Sequence, residues 1–394
     1  MSPTIILWLI AGCLMLQPLS TDLYLASLPH LAAAFHASPA EVQQTLSMFV
    51  IGFGSAQLVS GPLSDRFGRR PVLLWGLIVY VAASFACALA PTLAALSAAR
   101  LVQAIGCCTA AVVARALIRD LYAPAEGAKV MAKASSLLSL APLFGPILGS
   151  YLQVLFGWRA AFLFHTLFGS ALLFAARRWL LETNAHQNPA ATRPAQLFAT
   201  YRRLASAESF WCWALPGALS YAAIFAFISG SSFVLIEVLG VPTEYYGYCF
   251  ACGVTGYLAG TLLCRRLIAK LGLAATLTAG ATLSLCSGLL FLALVAAGFN
   301  HWSVVVLSLF LTMLAHGINF PCAQTGAVAP FPREAGAAAG LLGCLAMLAA
   351  LATGTWVGQS HDGTLVPLAA TSAVIGLALF ASAWALRKPR AATV

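Results

Sequence analysis

The sequence predicts an all-α polytopic membrane protein with twelve transmembrane helices in two halves of six. Three observations lead to this fold class. First, 61% of the 394 residues are hydrophobic and only 8% are charged, whereas soluble proteins contain about 25% charged residues. Second, twelve apolar runs are each long enough to cross a bilayer. Third, the longest polar stretch separates these runs into two sets of six.

The composition also excludes several classes of protein. A soluble chain of this length would have too little polar side chain to cover its surface, and a disordered chain is poor in apolar residues. The net charge of +10 comes from 21 Lys and Arg against 11 Asp and Glu. Because these basic residues are scattered between apolar runs, we expect no nucleic-acid partner.

The eleven cysteines indicate packing rather than disulfide or metal chemistry. Their number is odd, and all lie in or at the ends of apolar runs. Cys249 and Cys252 have a C-x-x-C spacing, but no second pair or polar loop accompanies them. We therefore expect no metal and no cofactor. The segment Met1 to Leu25 has neither a basic start nor a cleavage site, so it is predicted to be a retained first span.

The spans follow from the apolar runs, each of about 20 residues. The first half is predicted to contain residues 1–181, with spans at about 4–28, 42–64, 72–91, 94–118, 130–155 and 159–180. The second half contains residues 209–394, with spans at about 209–235, 243–264, 272–295, 301–325, 335–359 and 364–386. Residues 182–208 are polar and are predicted to be a cytoplasmic linker.

The loop charges predict the orientation, because Lys and Arg accumulate in cytoplasmic loops. With both termini in the cytoplasm, only Arg100 and Arg159 fall toward the outside. The other nineteen basic residues lie on the inner side: Arg66, Arg69, Arg70, Arg115, Arg119, Lys129, Lys133, Arg177, Arg178, Arg193, Arg202, Arg203, Arg265, Arg266, Lys270, Arg333, Arg387, Lys388 and Arg390.

The loop between spans two and three carries a recognisable motif, Gly61-Pro-Leu-Ser-Asp65-Arg-Phe-Gly68-Arg69-Arg70. This motif resembles the loop signature G-x-x-x-D-[RK]-x-G-[RK]-[RK] of the major facilitator superfamily. Gly61 is predicted to let neighbouring backbones approach closely.

Two further motifs are similar to those of proton-coupled drug exporters in that superfamily. Span four contains Arg100-x-x-Gln103-x-x-Gly106, and span five contains Pro142-Leu-Phe-Gly145-Pro146-Ile-Leu-Gly149. Ala104, Ala141 and Ser150 depart from those motifs, which often have glycine there. The stretches 20–25 and 115–122 look like the Bcr/CflA branch, which contains bicyclomycin and chloramphenicol resistance exporters.

The resemblance implies an antiporter of the bacterial inner membrane with the major facilitator fold. Its partners would be protons, a small amphipathic substrate and the lipid bilayer, and we expect a monomer. A metabolite, such as an amino acid, nucleoside or sugar, is the alternative cargo. A membrane enzyme or receptor is disfavoured because no catalytic motif or large aqueous domain occurs, and an ATP-driven pump would need a partner with a nucleotide-binding domain.

Asp22 is the acidic residue that we place inside a span of the first half. An ionised Asp at mid-membrane costs about 2.5–3.5 kcal/mol, which makes it a functional candidate. A carboxyl group that exchanges protons on each side of the membrane can couple transport to protons. Pro18 cannot donate to the carbonyl of Leu14, so we expect a bend before the acid. Alternatively, Asp22 ends span one at the outer surface.

Arg100 is predicted to lie at the depth of Asp22, about two turns into span four. We hypothesise that a conformational change makes or breaks their contact and so switches proton affinity. Gln103 lies one turn further and can bond to either partner. The alternative is an arginine that extends to the outer headgroups. Arg115 lies about 60° further round the helix, so it faces the same interior or extends to the inner interface.

The motif loop is expected to act as a latch on the cytoplasmic side. Asp65 would lie at the positive start of span eleven, near Ala335, and Arg69 or Arg70 would pair with Asp120. These contacts would bias the outward-open state. An ordinary basic loop would explain the arginines but not the glycines and the acid. The predicted latch residues are Gly61, Asp65, Gly68, Arg69, Arg70 and Asp120.

The remaining candidates concern the antiporter motif and the substrate cavity. The resemblance implies that Gly145, Pro146 and Gly149 bend span five and give it a close-packing face, although Gly and Pro are also common in membrane helices. Aromatic stripes are more often packing surfaces than binding sites. The cavity candidates are Tyr24, Gln103, Arg115, Tyr221, Phe225 and Asn319.

Overall fold

The computed structural model describes residues 3–184 and 187–386 of the chain. The tail residues Arg387, Lys388 and Arg390, and the side chain of Arg333, which count among the predicted inner basic residues, lie outside the described residues.

The described chain is helical and contains no strand. Its helices up to the middle of the sequence are α1 (Pro3–Asp22), α2 (Leu28–Phe35), α3 (Pro39–Phe67), α4 (Arg69–Leu89), α5 (Leu93–Leu121), α6 (Pro124–Leu138), α7 (Leu140–Phe156), α8 (Arg159–Trp179) and α9 (Pro194–Ser206). The later helices are α10 (Glu208–Ser232), α11 (Thr243–Leu271), α12 (Leu273–Ala296), α13 (Trp302–Val328), α14 (Ala335–Ser360) and α15 (Val366–Ala385).

Twelve helical segments within the described residues are long and apolar enough to cross a membrane. This confirms the predicted fold class. The first span, Thr4–Phe35, is longer than predicted because α2 continues it after a 3-10 turn at Leu25–Ser27. The fifth span, Lys129–Phe156, combines α6 and α7, which meet at Ser139.

Local sequence determines where the helices begin. Ser38 and Glu41 form a capping box at the start of α3, in which each side chain bonds to the other residue's backbone N–H. The Thr92 hydroxyl accepts a hydrogen bond from the Ala95 N–H at the start of α5. These caps satisfy donors that have no acceptor inside the helix.

The described chain forms two compact units. The first unit contains the chain up to Thr200 together with Pro242–Tyr248, and the second contains Tyr201–Val241 and the chain from Cys249 onward. In the first unit α5 packs against α1, α3 and α4, and α8 packs against α4. In the second unit α10 packs against α13, α14 and α15, and α12 packs against α13 and α15.

The polar stretch between the sixth and seventh spans contains a helix that the sequence analysis did not predict. This helix, α9, carries Leu204, which is fully buried in an apolar cluster with Phe210, Ala214 and Leu342 of the second unit. Arg203 forms an ion pair with Glu334 beside it. Its last turn is therefore a packed part of the second unit.

Candidate functional site

Asp22 is the last residue of α1 and lies inside the first span. The helix breaks here, four residues after Pro18, and the span resumes in α2. Asp22 is buried, with 5% of its surface exposed, and its carboxylate accepts a 2.8 Å hydrogen bond from the Thr21 hydroxyl. The apolar segment resumes after the break, in α2, and the position of Asp22 within the membrane stays a prediction.

Arg100 of α5 is completely buried beside this break. Its Nη1 donates to the carbonyl of Ser20 at 2.9 Å and to Oε1 of Gln103 at 2.7 Å. Ser20 is in the last turn of α1, where the backbone carbonyls have no N–H donor within the helix. A cation there also interacts favourably with the negative end of the helix dipole. Arg100 therefore holds the end of the helix that carries Asp22.

Aromatic rings form the rest of the surroundings of Arg100. Its guanidinium carbon lies 4.3 Å from the ring centre of Phe49, 4.5 Å from that of Tyr24 and 5.8 Å from that of Phe162. Such distances allow cation–π attraction. Tyr24 is also buried, and its hydroxyl bonds to that of Thr45 at 2.9 Å. Tyr24 and Gln103, both predicted to line the cavity, are thus parts of the arginine site.

The charge of Arg100 is only partly compensated. Within the described residues no carboxylate lies within 4 Å of it, so Asp22 and Arg100 form no ion pair in this structure. Its Nε and Nη2 are buried and have no hydrogen-bond partner. Two strong donors of Arg100 are therefore unsatisfied, near the last turn of the helix that ends at Asp22.

Further polar side chains extend this network across the first unit. Gln103 donates to the Ser84 hydroxyl at 2.8 Å, and the Tyr80 and Ser20 hydroxyls lie 2.8 Å apart. Nε2 of His165, in α8, lies 3.1 Å from the carbonyl of Leu19. Sequence reasoning missed His165, although a lone histidine inside the sixth apolar run was a visible signal.

The antiporter motif packs directly against the region of Asp22. A Cβ added to Gly145 would lie 3.8 Å from that of Asp22, and one added to Gly149 would overlap the Leu23 carbonyl. Residue 149 must therefore lack a side chain for α7 to approach this closely. Gly247 also lies against the backbone of α7: a Cβ added to it would be 2.5 Å from the carbonyl oxygen of Pro146.

In the latch loop, residues 61–70, Arg69 connects two helices. Its Nη1 lies 2.5 Å from Asp65, one turn away, and its Nε lies 2.8 Å from Asp120 at the end of α5. Nη1 also donates to the Ser64 hydroxyl at 2.6 Å. Of the two arginines proposed to pair with Asp120, Arg69 does so. Arg70 instead donates to backbone carbonyls in the sixth span and just after it. The proposed position of Asp65 at the start of span eleven stays a prediction.

The two glycines of the latch loop differ in their surroundings. Gly68 has φ +98°, which favours glycine, and an added Cβ would lie 2.5 Å from Oε2 of Glu182. The nearest atom to a Cβ on Gly61 would be 4.0 Å away, on Val112. The close backbone approach expected at Gly61 is therefore not present in this structure.

The second unit contains an aromatic cluster around His316. Tyr221, Tyr257 and Phe320 are half-buried, and their ring centres lie 6.1, 5.9 and 5.2 Å from that of His316. Nδ1 of His316 lies 2.9 Å from the Ser220 hydroxyl. The cluster offers partly open aromatic surface with the hydrogen-bonding imidazole of His316 at its centre.

The other predicted cavity residues differ in exposure. Phe225 is buried and stacks on Tyr221, with ring centres 6.4 Å apart. Asn319 is completely buried, and its Nδ2 donates to the Ser284 hydroxyl at 3.2 Å. Arg115 has an exposed side chain on α5. Only Arg115 and Tyr221 among the six candidates thus present substantial accessible surface in the described structure.

Comparison with protein families and curated proteins gives consistent matches. The Major Facilitator Superfamily model matches residues 10–355. A bicyclomycin resistance protein homolog of Haemophilus influenzae is 30% identical over 90% of this chain and 89% of its own. The multidrug resistance protein D of Escherichia coli is 28% identical over 89% of each chain. A chloramphenicol resistance protein of Pseudomonas aeruginosa is 31% identical over 84% of this chain and 78% of its own.

Solved structures show the same fold at lower identity. A D-xylose–proton symporter superposes with a TM-score of 0.75 and 14% identity, covering 98% of this chain and 97% of its own. The human organic anion transporter MFSD10 superposes with a TM-score of 0.71 and 20% identity, covering 98% and 100%.

Proposed function

This chain belongs to the Major Facilitator Superfamily, and we propose that it is a proton-coupled antiporter that exports small amphipathic compounds across the bacterial inner membrane. It is a multi-pass membrane transporter with a small-molecule substrate, and it is not an enzyme. We further propose that it works as a monomer, with both termini in the cytoplasm, and that residues 1–181 and 209–394 alternate around a central site.

The observation that carries proton coupling is the buried Asp22 beside a partly uncompensated Arg100. Arg100 is held two residues from the acid, at the Ser20 carbonyl, and its Nε and Nη2 lack acceptors. When the break after α1 moves, these donors can reach the carboxylate. An ion pair would favour proton release, and its loss would favour proton capture. Gly149, without a side chain, leaves the backbone at Leu23 in direct contact with α7.

The available free energy limits the class of substrate. One proton that enters down about 100 mV yields about 2.3 kcal/mol, and a difference of one pH unit adds about 1.36 kcal/mol. Together these support an outward gradient of about 500-fold for a neutral solute. For a monocation exchanged with one proton the potential cancels, which leaves about tenfold. A single proton site therefore suits neutral or weakly charged compounds.

Drug export is favoured over metabolite export by the relatives, whose names refer to resistance to bicyclomycin, chloramphenicol and several drugs. The test is a susceptibility panel in a pump-deficient bacterium that expresses the parent or Asp22→Asn, beside metabolite-efflux assays. We expect the parent to raise the tolerated concentration of at least one drug and the variant to lose this effect. Substrate-induced alkalinisation that is equal in the two would contradict proton coupling through Asp22.

A further inference from the structure

The segment that follows the sixth span is packed onto the latch loop of the first unit. We call residues 180–192 the strap; the structure describes all of it except 185–186. The sequence predicted only an aqueous linker here. The contacts instead form an ordered set of hydrogen bonds to both helices that meet at the latch loop.

Glu182 caps the start of α4. Its Oε1 accepts from the backbone N–H of Arg69 at 2.8 Å, and its Oε2 accepts from that of Arg70 at 3.1 Å. These N–H groups are the first two of α4 and have no acceptor within the helix. The third residue, Pro71, has no N–H. A carboxylate at this position also complements the positive end of the helix dipole. Glu182 therefore satisfies most of the free donors of α4.

Asn184 and Asn188 hold the other side of the loop, at the end of α3. Nδ2 of Asn184 donates to the Asp65 carbonyl at 3.0 Å, and the N–H of Asn188 donates to the same carbonyl at 3.0 Å. Such terminal carbonyls lack donors within their helix. Further along, the Thr192 hydroxyl accepts a 2.5 Å bond from Arg66. The strap thus binds both ends of the turn between α3 and α4.

The strap also accounts for a glycine of the loop motif. A Cβ at residue 68 would lie 2.5 Å from Oε2 of Glu182, and the backbone there has φ +98°. Both the backbone conformation and the space taken by Glu182 therefore require Gly68. Gly68 of the motif is thus in direct contact with Glu182, an acid more than 110 residues later in the chain.

We infer that Glu182 is a positioning residue for the latch: it holds the start of α4 and so sets the Arg69 side chain between Asp65 and Asp120. The backbone N–H of Arg69 is fixed by Glu182, and its guanidinium bridges the two aspartates. Thr183, the next strap residue, donates to the same carboxylate of Asp120 at 3.3 Å. The inference rests on the proposed latch role of this loop, but the contact between strap and loop can be tested separately.

The first measurement is amide hydrogen exchange on the purified full-length protein. We expect Glu182→Ala to speed exchange at the N–H groups of Arg69 and Arg70 by about tenfold, because charged hydrogen bonds are lost. In Glu182→Gln, which keeps one acceptor, the exchange rates of these amides should lie between those of the parent and of Glu182→Ala. The matched control is Glu237→Gln, which removes an exposed acid elsewhere and should leave these amides unchanged. Equal exchange in Glu182→Ala and the control would overturn the inference.

The second measurement is the initial rate of chloramphenicol efflux at several concentrations, per folded molecule in the membrane. We expect Glu182→Ala and Asp120→Asn each to lower the maximal rate with little change in KM, and the double variant to be no slower than the slower single variant. If the fold-losses in maximal rate of the two single variants multiplied in the double variant, a role of Glu182 through the Arg69–Asp120 pair would be overturned. If Asp120→Asn leaves efflux unchanged, the proposed latch role of the loop fails, and if no drug of the susceptibility panel is exported, the proposed function fails. In either case the exchange result still decides whether Glu182 holds the loop.

Discussion

The polar interiors of the two units differ in charge. In the first unit the spans bury Asp22 and Arg100, together with Arg69 at the latch. In the second unit the buried polar groups among the described residues are neutral hydroxyls, an amide and His316, beside partly open aromatic rings. Charges inside a membrane are expensive and are retained where they function. We therefore propose a division in which the first unit handles the proton and the second recognises an uncharged, aromatic part of the substrate.

The strongest test of this division is Arg100→Met. We expect coupled efflux to fall by about 100-fold or more, because Arg100 is the cation that we propose to pair with the Asp22 carboxylate. The free energy of unfolding in detergent should change by no more than about 1 kcal/mol, since a partly uncompensated buried charge is removed along with its hydrogen bonds. Efflux and thermal unfolding are measured on the same preparation.

Arg100→Lys serves as the companion variant. It keeps the charge but not the planar fork that reaches Ser20 and Gln103 together. We expect it to recover little of the efflux. Full recovery would mean that charge alone, rather than placement at the end of α1, is what matters.

A second test concerns the contact between α7 and the break after α1. Gly149→Ala should destabilise the protein by about 1–3 kcal/mol, because the new methyl group would overlap the Leu23 carbonyl. Gly61→Ala is the control, since space is open there. Thermal midpoints in detergent report both. If the two variants melted alike, the close approach at Gly149 would be disproved.

A third test addresses the second unit. Tyr221→Ala should raise KM for efflux of an aromatic drug by about five- to tenfold, through loss of ring contacts worth about 1–1.5 kcal/mol. The number of protons per drug should not change. Phe291→Leu is the control, because this ring packs on Phe227 in the buried interior. A changed proton ratio in Tyr221→Ala would contradict the division between units.

The smallest expected effect is that of Ser220→Ala. It removes the hydroxyl that lies 2.9 Å from Nδ1 of His316, and hydrogen bonds between membrane helices contribute about 0.6 kcal/mol on average. We expect a correspondingly small loss of stability and unchanged dependence of efflux on pH. A large shift in that pH dependence would place His316 in proton transfer.

The sequence was sufficient for the spans because apolar length and polar breaks are local properties. Asp22 and Arg100 were also visible locally, as charges inside apolar runs. Glu182 was not, since its partners lie about 110 residues earlier and no spacing rule connects them. The preference of Asp120 for Arg69 over Arg70 depends on which residue begins α4, because successive helical residues point about 100° apart. Similarly, burial of Tyr24 and Asn319 depends on neighbours in other helices.

The strap has a consequence for how the protein is made. All of its described hydrogen bonds connect residues that precede Pro194, so none of them requires the seventh or any later span. At about 5–20 residues per second, synthesis of the remaining chain of roughly 200 residues takes about 10–40 s. The turn between α3 and α4 can therefore be closed by its own chain while the second half is still being translated, when its unsatisfied backbone groups would otherwise be open to incorrect partners.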